Sequence, residues 1–257
     1  MKPDVASITG AIVAIGAIAG GLLLEGGKLS DIAQYTAALI VVGGTLGAVM
    51  IATPLPLLIG AGKRFASVFF DSSPDTKAVM EQLLGYAAKA RRGGLSSLEK
   101  EVTAVSDPFL AKALNLAVDG ADLRAIRSML ELEMDAAEHE GEAQAKVFES
   151  AGGFAPTVGI IGAVLGLIQV MKNLANIDEV GHGIAVSFVA TVYGVALANL
   201  FFLPAAQKIK ARLHAETQKR ELICEGVAGI VEGLNPRLLQ VKLDAFFQKP
   251  SELATAE

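Results

Sequence analysis

The chain has 257 residues, 52% of them hydrophobic and 19% charged, with a formal net charge of −5, three histidines and one cysteine. A single cysteine, Cys224, excludes an intrachain disulfide and a cysteine-built metal site, and the scattered His139, His182 and His214 form no ligand pattern. A positive mean hydropathy of +0.49 directs attention to where the apolar residues lie.

Four stretches, 6–24, 32–53, 151–171 and 183–207, contain no Asp, Glu, Lys, Arg or His. About 20 apolar residues cross a hydrocarbon core of ~30 Å, so each reads as a membrane-spanning helix. The first exceeds the ~7–15-residue apolar core of a signal peptide and only Lys2 precedes it, so it reads as a retained span. It ends at Glu25-Gly26-Gly27, and Ser30 and Asp31 are expected to cap span two. Span two stops at Thr53-Pro54-Leu55-Pro56, because each proline disfavours helix in the residue before it.

A charged insert follows and reads as helices. One starts after Ser73-Pro74-Asp75 and runs to about Arg92, ended by Gly93-Gly94. A short one starts at Ser96 or Ser97, where Ser96-Ser97-Leu98-Glu99 reads as a capping box with Glu99 reaching back to the Ser96 amide. Another runs from Asp107-Pro108 to about Val118. A long one runs from Asp122 toward Glu149, with Leu123, Ile126, Leu130, Met134 and Ala137 at helical spacing and Arg127 and Glu131 as an i,i+4 pair. No segment reads convincingly as a strand. Beyond span four the helical pattern continues through Ile209, Leu213, Thr217 and Leu222 to about Gly233, and a last amphipathic helix at 237–247 precedes a disordered-looking tail.

The expected fold is therefore all-α: a polytopic membrane protein with four transmembrane helices and a helical cytoplasmic domain. Its expected segments are an outer hairpin (1–57), a cytoplasmic insert (58–150), a second hairpin (151–207) and a cytoplasmic extension (208–257). The insert from Lys63 to Lys146 holds eleven Lys and Arg and the tail after span four holds eight, whereas each short turn holds one. The bias toward positive charge inside places insert, tail and both termini in the cytoplasm.

There is no nucleotide fingerprint, no catalytic constellation and nothing that points to nucleic acid, so an enzyme is not expected. Ser187, Thr191 and Tyr193 lie near one another in span four without a base. Small residues recur at intervals of four: Ala155 and Gly159, Gly162 and Gly166, Ala190 with Gly194 and Ala198, Gly16 with Gly20, and Gly43 with Gly47. Such residues let helices approach closely in lipid, and some of these faces are candidates to receive a helix from outside. Pro156 and Pro204 interrupt the hydrogen-bond ladders of spans three and four. Pro156 either ends a helix harmlessly or frees a carbonyl for water or an ion. Thr191 either bonds its own helix or lines a pathway. Arg91, Arg92 and Glu99 either serve the helix ends they flank or form a charged ridge for a partner.

The run Ala155-Pro156-Thr157-Val158-Gly159-Ile160-Ile161-Gly162-Ala163-Val164-Leu165-Gly166 and the run Ala190-Thr191-Val192-Tyr193-Gly194 resemble the MotA/PomA flagellar stator family. So do Leu39 to Gly44, Ala90-Arg91-Arg92-Gly93-Gly94 with Glu99, and Asn235-Pro236-Arg237, while Glu25-Gly26-Gly27 is similar to MotC-type members. The likeness runs in order over nearly the whole chain. It implies a bacterial inner-membrane subunit that couples ion flow to flagellar rotation. Five such chains would surround two copies of a MotB-type single-span partner that supplies the ion-binding aspartate. Spans three and four would line the pore and spans one and two would face lipid.

The resemblance further implies an ion pathway past Pro156, Gly159, Ala163, Ala190 and Thr191. It implies a rotor-facing surface of Arg91, Arg92 and Glu99 against a FliG-type switch protein, and a coupling role for Pro204. Sodium-type members place threonines at the positions of Ala163 and Ala190, and alanine offers no hydroxyl to replace sodium's water, so the expected ion is the proton. No other cofactor is expected. An ExbB/TolQ-like energising subunit is the nearest alternative, but those relatives typically have three spans. A stand-alone permease needs polar groups inside its own spans, and a non-conducting scaffold is the remaining reading.

Overall fold

A computed structural model describes residues 2–71 and 75–247. Ser73 and Pro74, expected at the start of the first insert helix, and the tail from 248 onward lie outside the described residues. Eight main helices account for the fold: α1 (Val5–Leu24), α2 (Tyr35–Ala52), α3 (Leu55–Ser67), α4 (Thr76–Gly93), α5 (Pro108–Val118), α6 (Leu123–Lys172), α7 (Ile177–Val231) and α8 (Pro236–Asp244). Among them, α1, α2, α6 and α7 are long and apolar enough to cross a membrane. The one extended pairing among the described residues is a two-residue antiparallel ladder, Lys2–Pro3 against Phe70–Asp71.

The chain divides into two compact units, 1–72 with 141–211, and 73–140 with 212–257. In the first, the carboxylate of Asp4 caps α1 by accepting from the Ser7 amide at 3.0 Å. None of the 20 residues of α1 is buried, as suits a helix whose solvent is lipid. Ser30 and Asp31 do not cap span two. They sit in a separate single turn, Leu29–Ile32, where Asp31 accepts from the Lys28 amide at 2.8 Å, and α2 begins only after Gln34. Helix α3 is an element beyond those expected from the sequence. Pro54 and Pro56 end one helix and open the next, since a proline tolerated in a first turn costs no hydrogen bond there.

Two wider, π-helical turns were not foreseen. One occupies Leu39–Gly43 in α2, the other Leu197–Phe202 in α7. The second directly precedes Pro204, whose ring would collide with the carbonyl four residues back in a regular helix, and the extra residue per turn relieves that conflict. Pro156 behaves differently. It lies inside the unbroken 50-residue α6 and is no helix terminus, because a membrane helix tolerates one lost bond when neighbours pack around it.

In the second unit the core is formed by Leu83, Leu98, Leu110, Leu114, Ile126 and Leu130 with Leu222, Ile223, Leu239 and Leu243, all fully buried. The lone thiol, Cys224, belongs to this core, and burial pushes its pKa up. Gly94, at φ +75°, ends α4 in a conformation that favours glycine. The expected capping box at Ser96–Glu99 does not form: residues 95–98 make a 3-10 turn, the Ser97 hydroxyl donates to the Gly94 carbonyl at 2.6 Å, and Glu99 only starts the next short helix. Arg127 does not pair with Glu131. Its guanidinium instead forks onto Glu225, with Nη2 to Oε2 at 3.0 Å, and the Lys242 ammonium reaches the same carboxylate at 2.6 Å. Two cations on one half-buried carboxylate outbid one exposed neighbour on the helix surface.

Asp107 caps α5 by accepting from the amides of Phe109 and Leu110 at 2.9 and 3.1 Å, and pairs with Lys219. Burial works against the Asp107 carboxylate, yet Lys219 and the two amides outweigh it and hold its pKa below the usual range. The hydrogen bond from Arg127 is the main cause of the depressed pKa of Glu225. Depressed carboxylates stabilise the fold fully above the unfolded pKa of about 4 and lose that contribution as pH falls through the folded value. Melting of the purified protein should therefore be insensitive to these groups near neutrality and fall steeply below about pH 4. Glu225→Gln, which removes the charge from beside two cations, should cost about 1–3 kcal/mol at neutral pH and flatten that acid limb.

Candidate functional site

In the first unit, α6 and α7 approach along the small residues that recur at intervals of four. A Cβ on Gly194 would lie 2.5 Å from the Ala155 carbonyl oxygen and 3.1 Å from Pro156 Cα, and one on Gly159 would lie 2.9 Å from the Ala190 carbonyl oxygen. One on Gly166 would strike the Ser187 hydroxyl, and one on Gly162 would lie 2.7 Å from the Ala190 methyl. The helices touch backbone to backbone, which only residues this small permit. The packing brings Pro156, Gly159, Ala190 and Thr191 together at the crossing. Ala190 is fully buried among Ala37, Val41 and Val189, whereas Ala163 is half-buried.

Few polar groups lie in this region. The Thr191 hydroxyl donates to the Ser187 carbonyl of its own helix at 3.2 Å. That bond uses its one proton and leaves the oxygen's lone pairs available as acceptors. Ser187, not singled out as a site residue from sequence, is buried between the helices. Its hydroxyl lies 2.8 Å from the Ala163 carbonyl of α6 and 2.9 Å from the Gly183 carbonyl of α7. Tyr193 ties span four to the entrance of span two, donating to the Ile32 carbonyl and accepting from the Gln34 amide at 3.4 Å. The signal for both was present, since they flank Thr191 on one helix, but a hydroxyl's partner across helices is not written in spacing. No Asp, Glu, Lys, Arg or His lies in the four charge-free stretches, so this chain offers an ion neither a carboxylate nor a counter-charge there.

Pro204 is not part of this crossing. It lies beyond the π-helical turn of α7 and is exposed. Arg91 and Arg92, both exposed, occupy the last turn of α4, and Glu99 is exposed just beyond the turn at Gly94. The neighbouring Lys89 and Glu101 pair across that turn, fixing α4 against the segment that carries Glu99. The three predicted charges thus share one corner of the second unit, with no ion pair to one another among the described residues.

Residues 101–222 match the MotA/TolQ/ExbB proton channel family, and residues 8–93 match the N-terminal region of motility protein A. Motility protein A of Bacillus subtilis is 35% identical over 255 residues, spanning 99% of this chain and 94% of the relative. The chain belongs to the MotA/PomA family, within the MotA/TolQ/ExbB proton channels. Its fold is similar to a MotAB structure from C. jejuni, with a TM-score of 0.92 and 32% identity over 96% of this chain and 97% of that one. It is also similar to the flagellar MotAB stator complex of Bacillus subtilis, with a TM-score of 0.88 and 35% identity over 97% and 98%. As a MotA-family chain it is a multi-pass inner-membrane protein whose four apolar helices are its spans and whose large helical region is cytoplasmic.

Proposed function

We infer that this MotA-family chain is an ion-coupled stator subunit of the flagellar motor, that it works with a MotB-type single-span partner, and that its ion is the proton. The observation that carries the reading is the pairing of a near full-length likeness to MotAB with spans that hold no Asp, Glu, Lys, Arg or His. A proton path needs a titratable group, so the partner's helix supplies it, and this family member supplies the sleeve.

In the proposed assembly five copies surround two partner helices. The hairpin 151–207 faces them, past Pro156, Gly159, Ala163, Ala190 and Thr191, and the hairpin within 1–57 faces lipid. Arg91, Arg92 and Glu99 meet a FliG-type rotor protein, and Pro204 couples the pore to the cytoplasmic segments 58–150 and 208–257. One charge crossing ~150 mV releases roughly 3.5 kcal/mol, at about 2.3 kcal/mol per 100 mV. That is enough to bias a two-state contact by more than a hundredfold. The choice of proton rests on Ala163 and Ala190, which carry no hydroxyl and so leave Thr191 alone to replace sodium's hydration water.

Swimming of cells whose sole stator is this chain with its partner should persist in sodium-free buffer. Loss of swimming there, with normal swimming on adding sodium, would overturn the proton assignment while leaving the stator reading intact. Copurification with the single-span partner tests the stator reading itself, and a stable monomer that transports alone would refute it.

A further inference from the structure

The crossing of α6 and α7 is held at two places. At one, Gly194 lies against the backbone of Ala155 and Pro156. At the other, Gly166 and Gly183 meet backbone to backbone: a Cβ on Gly166 would lie 2.8 Å from the Gly183 carbonyl oxygen, and one on Gly183 would lie 3.0 Å from that of Gly166. Along α6, Ala155 and Gly166 are about 16 Å apart at ~1.5 Å per residue. Ala163 on α6 and Thr191 on α7 both fall between the two contacts in sequence.

The second contact contains a hydroxyl that packing does not require. The close approaches are otherwise made by glycine and alanine, and an alanine at 187 would fill the same place without burying a polar group. Ser187 is instead 5% exposed, and its oxygen occupies the space that a side chain on Gly166 would take. Burying a hydroxyl is unfavourable unless it is hydrogen-bonded. Its oxygen lies 2.8 Å from the Ala163 carbonyl across the crossing and 2.9 Å from the Gly183 carbonyl of its own helix. The backbone carbonyl of the same residue accepts from the Thr191 hydroxyl at 3.2 Å. One residue thus holds Ala163 on one span and Thr191 on the other.

We propose that Ser187 is a positioning residue for ion passage, a clasp that joins the Ala163 carbonyl of span three to the Thr191 hydroxyl of span four and sets their register. The proposal rests on the pathway inferred above past Ala163 and Thr191. A hydroxyl has one proton to donate, so the bond across the crossing can pass to the Gly183 carbonyl. The contact then loosens without leaving a buried donor unpaired, which keeps its opening and closing inexpensive. The contact at Ala155 and Gly194 is steric and has no such alternative, so movement between the spans concentrates at the Ser187 end.

Ser187→Ala removes the clasp and leaves the backbone contacts in place. The measurement is torque and speed per engaged unit, in cells whose sole stator is this chain with its partner. Torque near stall reflects the energy released per ion, and speed at low load reflects the rate of each step. Ser187→Ala should lower low-load speed per unit about two- to tenfold, the rate equivalent of one net hydrogen bond, with stall torque per unit unchanged. Thr9→Ala is the control. Its hydroxyl is exposed and donates to the Val5 carbonyl of its own helix at 2.7 Å, so its loss should alter neither quantity. If Ser187→Ala does not assemble, Ser187→Cys takes its place under the same criteria, since a thiol is a weak donor of similar shape. Unchanged low-load speed overturns the proposal, as does an equal loss of speed and stall torque, which marks a purely structural role. Either result, with the wild-type chain driving rotation, leaves the stator reading standing; a wild-type chain that drives none with its partner refutes that reading and this proposal with it.

Discussion

Gly194→Val abolishes swimming and reduces recovery of the intact complex, because the position has no space for any side chain. Its Cβ would stand 2.5 Å from the Ala155 carbonyl oxygen and 3.1 Å from Pro156 Cα. Both are backbone atoms, so no rotamer change relieves the conflict, and α6 and α7 must separate. Overpacking typically costs ~1–3 kcal/mol where a core can adjust, and the rigid helix contact here sets the cost at the upper end. The displaced residues include Pro156, Gly159 and Thr191, so the proposed pathway opens with the crossing. Gly153→Val is the matched control, since a Cβ there meets nothing within 4 Å. The measurement is soft-agar swimming alongside size-exclusion recovery of the complex. Wild-type swimming by Gly194→Val would show that the close approach has no role in the working motor.

The double reversal Arg91→Glu with Arg92→Glu leaves assembly intact and removes most torque. Both side chains are exposed in the last turn of α4, and neither has an ion-pair partner among the described residues. Intrinsic stability changes only through the helix dipole, at about 0.3–1 kcal/mol per charge. Against a rotor surface of complementary charge, each exposed attraction of ~0.2–1 kcal/mol becomes a repulsion of similar size, a total swing of roughly 1–4 kcal/mol. Bead-rotation torque falls and copurification with the partner stays near wild type, while melting drops through the reversed dipole interaction alone. Glu99→Ala alone has a milder effect. Normal torque in the double variant would remove Arg91 and Arg92 from the rotor contact.

The four spans were legible because the absence of charge over about 20 residues has one physical explanation in a chain this apolar. The crossing of spans three and four was legible in part. Glycines at intervals of four pointed to Gly159, Gly166 and Gly194, which meet the opposite helix, but equally to Gly16, Gly20, Gly43 and Gly47, which meet nothing within 4 Å. Spacing reports that a face is smooth and says nothing of what covers it. The π-helical turns escaped notice because they answer a local conflict, such as the ring of Pro204, by a change of helix type that composition does not encode. Arg127 chose Glu225 over Glu131 because tertiary packing brings a carboxylate from 98 residues away. The Ser96–Glu99 box failed because the glycine turn at Gly94 set the entry as a 3-10 turn, moving the helix start past both serines.

The core position of Cys224 has a practical consequence. It is the chain's one cysteine, only 4% exposed, and its pKa is raised chiefly by burial. Maleimides attack the accessible thiolate, and this site offers neither access nor thiolate at neutral pH. The folded wild-type chain should therefore stay unlabelled, and a cysteine introduced at Arg91 or Glu99 becomes a single reporter without a cysteine-free background. Dyes, spin probes or crosslinkers then read one chosen position, and any Cys224 signal marks chains that have unfolded.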